Sequence, residues 1–280
     1  MPEMPQPWPA RIRALAAGDI TPPEPRPSAT VVLLRDAAAG PEAYLLRRRT
    51  TMAFAGGMYA YPGGSVDPRD REVRPPWAGP SPAEWAERLG VDEPTACAVV
   101  CAAVRETFEE AGVLLAGSDD RTLVEPGDWT AERAALESHE LSLAEFLTRH
   151  RLVLRSDLLA AWARWVTPAF EERRFDTWFF VAALPAGQAA ADSVGEADRV
   201  AWMTPADAVA GFHEGRFGMM PPTITVLREL TPVGSAAEAL SAAAGRKVTP
   251  VLGWAELDGD RMTVRWPGYD ELTVDGVFPA

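Results

Sequence analysis

The sequence predicts an α/β protein of the α+β type, in which strand-forming runs alternate with helices. Residues 29–35 and 43–48 are apolar runs on either side of a short turn, a pattern typical of a β-hairpin. Residues 96–104 are small and apolar, and they lead into a stretch that ends at Gly112, which indicates a buried helix with a glycine stop. The aromatic and aliphatic run 173–184 is the clearest strand of the chain.

Prolines and glycines divide the N-terminal half. Residues 1–28 are rich in proline and predict an arm that carries a short helix at 10–17. After the hairpin, residues 58–61 favour a strand that leads into a Pro-Gly-Gly turn. Further helices are predicted at 82–89, 129–138 and 143–150.

The C-terminal half returns to strands. We predict strands at 162–167, 173–184 and 200–204. Prolines then open two helices, 206–213 and 220–230, because proline is well placed at a helix start. An Asp-Gly pair at 258–259 lies between strand-like runs 248–256 and 261–266, which predicts a second hairpin.

Composition excludes several classes of partner. The chain has 280 residues, enough for one large domain or one domain with insertions. Its formal charge of −13 argues against a nucleic-acid backbone as partner. No apolar run reaches the roughly 18 residues of a membrane helix, and no apolar signal segment is expected at the start. The two cysteines, Cys97 and Cys101, are interpreted as buried thiols in a reducing cytoplasm.

Three acids crowd the end of the predicted central helix. Glu106, Glu109 and Glu110 are spaced i, i+3 and i+4, so they share one face. Each acid near a helix C-terminus is unfavourable by roughly 0.3–1 kcal/mol, because the helix dipole is negative there. A hard divalent cation such as Mg²⁺ or Mn²⁺ would compensate this crowding. A solvated acidic helix end is the alternative interpretation.

The same stretch resembles a known motif. The run RETFEEAGV at 105–113 is similar to the second half of the Nudix box, whose pattern is G-x5-E-x7-R-E-U-x-E-E-x-G-U with U aliphatic. The Pro62-Gly63-Gly64 turn provides its opening glycines. Thr107 departs from the pattern, since an aliphatic residue is usual at that position.

A long insertion splits the box. Asp70 lies six positions after Gly64, but Arg105 follows Asp70 by 35 positions instead of eight. The first Glu of the box therefore has three candidate counterparts, Asp70, Glu72 and Glu93, or none. The insertion could cap the site or decorate the surface.

The resemblance implies the Nudix fold, a mixed β-sheet between helices with two insertions. We expect a proline-rich arm at 1–28, a Nudix domain at 29–235 with insertions at about 67–94 and 118–159, and an extension at 236–280 that carries a β-hairpin packed on the domain. The second insertion is expected to form a small helical lobe. The arrangement is further similar to the Nudix branch typified by the peroxisomal coenzyme A diphosphatases of animals, which carry a long insertion inside the box.

The resemblance also implies roles for the acids. Glu109 and Glu110 would be metal ligands, and Glu106 would be either a ligand or the catalytic base. Arg105 would orient one of these acids, and the backbone carbonyl of Gly63 would join the metal shell. If the base lies on a later loop instead, the candidates are Glu171, Glu172 and Glu196.

Other residues are candidates for substrate binding. The arginine run 47–49 could meet a phosphate through Arg47 or Arg49, since a guanidinium suits phosphate geometry, or it could be a solvated strand end. Gly64 would let the backbone approach the ligand closely.

Three functions follow from this reading. The first is a diphosphatase, dependent on Mg²⁺ or Mn²⁺, that acts on coenzyme A or acyl-coenzyme A. The second is the same chemistry on ADP-ribose, NADH or a nucleotide sugar. The third is a catalytically silent Nudix module that binds a nucleotide or a protein partner. Nudix proteins are often dimers, so a homodimer also stays open.

Overall fold

The computed structural model describes residues 7–50, 56–124, 127–191 and 197–278. The helices in these residues are α1 (Trp8–Ala17), α2 (Arg69–Glu72), α3 (Pro82–Leu89), α4 (Glu93–Ala111), α5 (Thr130–Glu137), α6 (Leu143–Arg149), α7 (Pro205–His213), α8 (Pro221–Leu230) and α9 (Ala236–Ala244). The strands are β1 (Arg26–Ala37), β2 (Gly40–Arg48), β3 (Tyr59–Ala60), β4 (Gly63–Ser65), β5 (Trp77–Ala78), β6 (Ala116–Gly117), β7 (Val153–Arg155), β8 (Ala160–Val166), β9 (Phe175–Ala183), β10 (Ala197–Met203), β11 (Pro250–Leu252), β12 (Trp254–Asp258), β13 (Arg261–Arg265) and β14 (Val274–Val277). None of these helices combines the length and apolar character needed to cross a bilayer.

The chain divides into two compact units. The larger unit is formed by Ser28–Ala163 and Trp178–Val248, and it carries most of the sheet and the central helix. The smaller unit contains α1, the segment Arg164–Thr177 and the C-terminal strands. Within the smaller unit, the Trp8 ring meets Phe170 at 5.0 Å between centroids, so the predicted short N-terminal helix is present and packed.

The main sheet is mixed, as expected. Its strands follow the order β10-β2-β1-β9-β8, with β3 beside β2 and β4 beside β1. Strands β1 and β2 form the predicted antiparallel hairpin, with Leu34 opposite Ala43. In the smaller unit, β11 pairs in parallel with Arg164–Val166 at the end of β8.

Helix α4 runs through the core of the larger unit. It begins after Asp92, whose side chain accepts a hydrogen bond from the Thr95 amide at 2.8 Å and so caps the helix. Small apolar residues such as Ala98 and Ala103 are fully buried along it. It ends at Gly112, which has a φ of 68° in the left-handed region. The predicted helix and its glycine stop are therefore confirmed.

The first insertion is part of the core. Its helix α3 buries Trp85 completely, and the Trp85 ring meets Phe180 of β9 edge-on at 5.7 Å. The indole of Trp178 donates a hydrogen bond to the Leu89 carbonyl at 3.3 Å. The helical part of this insertion thus fills the space beside α4 and the sheet.

The second insertion is not purely helical, contrary to expectation. It contains α5 and α6, but residues 153–155 form β7. This strand lies between β5 and β6, so Trp77 of the first insertion pairs with Leu154 of the second. Such a pairing depends on a distant partner, which local sequence patterns do not contain.

The C-terminal strands also differ from the prediction. The run 248–256 is two strands, β11 and β12, separated by Gly253. A Cβ atom at Gly253 would lie 2.5 Å from the Trp266 indole nitrogen. The Trp266 side chain therefore packs against the backbone at the point where β11 ends and β12 begins. The predicted hairpin of β12 and β13 is present, and β14 adds a third strand to it.

Candidate active site

The last two turns of α4 bring four charged side chains together. Arg105 Nη1 lies 2.7 Å from Glu106 Oε1 and 3.4 Å from Glu109 Oε2. The side chains of Arg105, Glu106 and Glu109 are only 4%, 12% and 9% exposed. Glu110 is also buried. The crowded acids are therefore an enclosed cluster around one guanidinium, and a solvated helix end is excluded.

Asp70 joins this cluster from α2. Its carboxylate accepts hydrogen bonds from Arg105 Nη2 at 3.0 Å and from Arg105 Nε at 3.1 Å. The Asp70 side chain is 2% exposed. The other two candidates for the first acid of the box are not buried, since Glu72 is exposed and Glu93 forms a half-exposed ion pair with Arg74. Of the three candidates, Asp70 is therefore the one that contacts Arg105 of the box.

The Gly-Gly turn contacts two of the acids, Glu106 and Glu110. Strand β4 pairs with β1, which aligns Gly63 with Thr30. The Gly63 amide donates a hydrogen bond to Glu110 Oε2 at 2.8 Å. A Cβ atom at Gly64 would lie 2.4 Å from Glu106 Oε1, so any other residue at this position would displace that carboxylate. The amide of Gly63 is thus the group seen to contact an acid, and a ligand role for its carbonyl stays a prediction.

Burial and charge shift the pKa values of the cluster. Burial raises the pKa of Glu109 to about 7, and the neighbouring Glu106 and Asp70 carboxylates add to this rise while Arg105 opposes it. Burial alone would lower the pKa of Arg105, but Glu106 and Asp70 more than offset it and the pKa is raised. Arg105 therefore stays charged, and Glu109 is poised to hold or release a proton near neutral pH.

The donor chemistry of the cluster suits a divalent cation. Glu106, Glu109 and Glu110 offer carboxylate oxygens, the ligands that Mg²⁺ and Mn²⁺ prefer. In the part of the chain that the structure describes, however, no three acidic, histidine or cysteine side chains converge as a ligand set. The oxygens instead face Arg105 and the Gly63 amide, so these carboxylates would turn from those partners to hold an ion.

The predicted substrate arginines lie on and after β2. Arg47 is bound in a fork to Asp198 of β10, with Nε–Oδ1 at 2.7 Å and Nη2–Oδ2 at 3.0 Å. This partner raises the pKa of Arg47 and lowers that of Asp198. Arg49 follows the strand and is exposed. A phosphate contact by either arginine stays a prediction.

The alternative bases have structural partners or cannot be placed. In the smaller unit, Glu171 accepts a hydrogen bond from the Trp8 indole at 2.7 Å, and Glu172 pairs with Arg11 at 3.1 Å. Burial raises the pKa of Glu171. Glu196 lies outside the described residues.

One residue of the site was missed by sequence reasoning. Arg133 of α5 donates a hydrogen bond through Nη2 to the main-chain carbonyl of Glu109 at 2.7 Å. Nothing in the mixed composition of the second insertion singles out this arginine, because its partner is a main-chain atom 24 positions earlier.

Several known proteins are similar to this chain in sequence. The family model of the NUDT19 Nudix domain matches residues 72–230. The acyl-coenzyme A diphosphatase NUDT19 of Xenopus laevis is 27% identical over 225 residues, covering 68% of this chain and 59% of that protein. Its Homo sapiens counterpart is 28% identical over 314 residues, covering 96% of this chain and 82% of that protein.

A solved structure is similar as well. The crystal structure of a NUDIX hydrolase from Alicyclobacillus acidocaldarius has a TM-score of 0.67 and 30% identity, with 78% of this chain and 96% of that chain covered. This similarity confirms the predicted Nudix fold. The matched family model, the solved relative and the arrangement of Arg105, Glu106, Glu109 and Glu110 agree, and the chain belongs to the NUDT19 family of Nudix hydrolases.

Proposed function

We propose that this protein is a metal-dependent diphosphatase that hydrolyses coenzyme A or acyl-coenzyme A to 3′,5′-ADP and a 4′-phosphopantetheine product. The observation that carries the reaction class is the enclosed cluster in which Arg105, held by Asp70, contacts Glu106 and Glu109. The substrate is taken from the names of the frog and human relatives. The match spans only 59% of the frog protein, so the activity of that protein is a proposal for this chain.

The chemistry requires a counter-charge for the diphosphate. Glu106, Glu109 and Glu110 would hold Mg²⁺ or Mn²⁺. When bound, such an ion neutralises phosphate charge and lowers the pKa of water, which together make attack on a diphosphate feasible. In the structure Arg105 Nη1 donates a hydrogen bond to the Glu106 carboxylate, and Gly64, which has no Cβ atom, lets the backbone approach the same carboxylate closely.

The proposed roles of the remaining residues follow from their positions. Glu106 acts as a ligand or as the base that takes a proton from water. In metal-free protein burial raises the pKa of Glu109 to about 7, so this carboxyl group would release its proton on binding an ion. Arg49 is exposed and therefore accessible to a phosphate. Arg47 would have to share its guanidinium between Asp198 and the substrate.

Turnover of a substrate panel tests the proposal. The purified full chain is incubated with Mg²⁺ or Mn²⁺ and with coenzyme A, an acyl-coenzyme A, ADP-ribose, NADH and a nucleotide sugar, and products are identified by mass. Cleavage of coenzyme A or its acyl derivative supports the proposal. Cleavage of only the other compounds would mean that one of them, and not coenzyme A, is the substrate. Thermal stabilisation by a ligand without cleavage would show a catalytically silent binding module.

A variant links activity to the acids. The double substitution Glu109→Gln with Glu110→Gln is expected to fold and to lose metal-dependent turnover by at least about 100-fold, since removing ligands or their partners strongly weakens metal sites. Glu87→Gln, which changes an exposed acid of α3, is the matched control. Retained turnover in the double variant would overturn the assignment of the site.

A further inference from the structure

We propose that Arg133 is a positioning residue that fixes the acid-bearing turn of α4; its role in catalysis rests on the function proposed above. Arg133 lies on α5, inside the second insertion. Its Nη2 donates to the Glu109 carbonyl at 2.7 Å, a hydrogen bond from a charged donor to an oxygen of the last helical turns.

This contact supplies what the end of α4 otherwise lacks. The last carbonyls of a helix have no partner within it, and the helix dipole makes this end negative. Acids at this end add to that negative charge, and α4 has no basic residue in its last turn. The Arg133 guanidinium brings a positive charge to this position from a different element.

Two guanidinium groups therefore contact Glu109, one at its side chain and the other at its main chain. Arg105 contacts its carboxylate at 3.4 Å, and Arg133 contacts its main-chain carbonyl at 2.7 Å. A Cβ atom at Gly112 would lie 3.1 Å from Arg133 Nη1, so the guanidinium also covers the glycine that ends the helix. The position of the Glu109 side chain thus depends on α5 as well as on α4.

The residues that follow Glu110 are held by neutral hydrogen bonds. The Ala191 amide donates to the Ala111 carbonyl at 2.8 Å, and the Gln188 side chain bonds both the amide and the carbonyl of Leu114 at 2.9 Å. These neutral contacts hold residues 111–114, whereas Arg133 alone of this group reaches the turn that bears the acids. Loss of Arg133 should therefore loosen that turn without unfolding the segment after it.

The test compares three variants. Arg133→Met removes the charge and the donors, and Arg133→Lys retains the charge with a single donor group. Arg149→Met is the matched control, since Arg149 is an exposed arginine of α6 in the same insertion. Each variant is compared with the full wild-type chain by amide hydrogen exchange, by Mn²⁺ binding measured with electron paramagnetic resonance, and by kcat and KM for the diphosphate substrate.

We expect Arg133→Met to speed exchange of the amides at 109–113 and to weaken Mn²⁺ binding by about tenfold, since partners outside a metal shell contribute about 10- to 100-fold to affinity. We also expect kcat to fall about tenfold while KM changes less than about twofold, because Arg133 would not touch substrate. Arg133→Lys should recover part of both losses, and Arg149→Met should change neither.

Other results would overturn the proposal. Unchanged exchange at 109–113, or weaker folding with unchanged Mn²⁺ affinity per folded molecule, would show that Arg133 has only a structural role. If Arg133→Met does not fold, the same measurements on Arg133→Lys decide. A wild-type chain that neither binds Mn²⁺ nor cleaves a diphosphate would overturn the proposed function, and the exchange data would still show whether Arg133 holds the turn.

Discussion

Arg105 and Asp70 lie 35 positions apart in the chain, yet they form a buried ion pair with Nη2–Oδ2 at 3.0 Å. The intervening segment contains α3 and the first half of α4. The pair therefore joins the two ends of the insertion, and it brings the residues that follow the Gly-Gly turn into contact with the acidic end of α4. A buried charge such as that of Arg105 requires partners of this kind, because desolvation of an unpaired guanidinium is expensive.

The first prediction concerns Asp70. Asp70→Asn should lower the free energy of unfolding by about 3 kcal/mol, since removal of one partner leaves a buried charge poorly compensated. Turnover should fall as well, because Arg105 also orients Glu106. Urea denaturation and the diphosphatase assay measure the two effects.

Controls for this prediction use the competing acids. Glu72→Gln changes an exposed residue, and Glu93→Gln removes a half-exposed ion pair with Arg74. Each should change stability by less than about 1 kcal/mol. A larger loss of turnover in Glu93→Gln than in Asp70→Asn would show that the first acid of the motif has been misassigned.

The sequence was sufficient wherever the relevant signals are local. Helix α4 and its end at Gly112 could be predicted because capping, residue size and the glycine stop all lie within the segment. Asp70 could not be distinguished from Glu72 or Glu93, because the choice depends on how the chain folds through the insertion. The contact of Arg133 with the Glu109 carbonyl is likewise invisible in sequence, since any residue has a carbonyl.

Strand pairing between the two insertions could not be predicted from local sequence either. Strand β7 is short, and its residues Val153–Arg155 follow a helix. It is a strand because it lies between β5 and β6, where Leu154 is fully buried. Tertiary contacts thus decide the conformation of a segment that was expected to belong to a helical lobe.

The second prediction concerns Gly64. Gly64→Ala places a methyl group 2.4 Å from Glu106 Oε1, so the carboxylate must move. The obstacle is the end of a side chain, so stability should change by no more than about 1 kcal/mol. Turnover should fall at least about tenfold, since small displacements at a catalytic centre have large effects on rate. Normal kcat in a folded Gly64→Ala protein would contradict this reading of the turn.

Gly63→Ala should behave in the opposite way. Its methyl group would lie 2.5 Å from the Ala29 carbonyl oxygen and 2.8 Å from the Thr30 Cα, both main-chain atoms of β1. Because the strands would have to separate, we expect a loss of about 1–3 kcal/mol in the free energy of unfolding. Thermal denaturation of the two glycine variants side by side checks this contrast, which equal stabilities would refute.

The third prediction separates two roles of Arg47. Arg47→Met removes the guanidinium, whereas Asp198→Asn removes only the charge of its partner. Both should change stability by less than about 1 kcal/mol, since the ion pair is partly exposed. If Arg47 binds a phosphate, Arg47→Met raises KM several-fold while Asp198→Asn does not. Equal KM values in wild type and Arg47→Met would assign this arginine to strand pairing alone.

The last prediction concerns the pH dependence of stability in metal-free protein. The pKa of Glu109 is about 7 in the folded chain, above its ordinary value of 4.5, because burial disfavours the charged form. The folded state therefore keeps a proton that the unfolded chain releases between these two values. Stability that is present below pH 4.5 is lost as pH rises towards 7, by up to about 3 kcal/mol.

Glu109→Gln removes this titratable carboxyl group from both the folded and the unfolded chain. In EDTA, the wild type should lose stability relative to Glu109→Gln as pH rises from 5 to 7, and the difference should level off above pH 8. Urea denaturation at each pH gives the free energies, and Glu87→Gln should parallel the wild type because Glu87 is exposed. Parallel curves for wild type and Glu109→Gln would mean that Glu109 keeps an ordinary pKa, and that its carboxylate is better solvated than its burial beside Arg105 indicates.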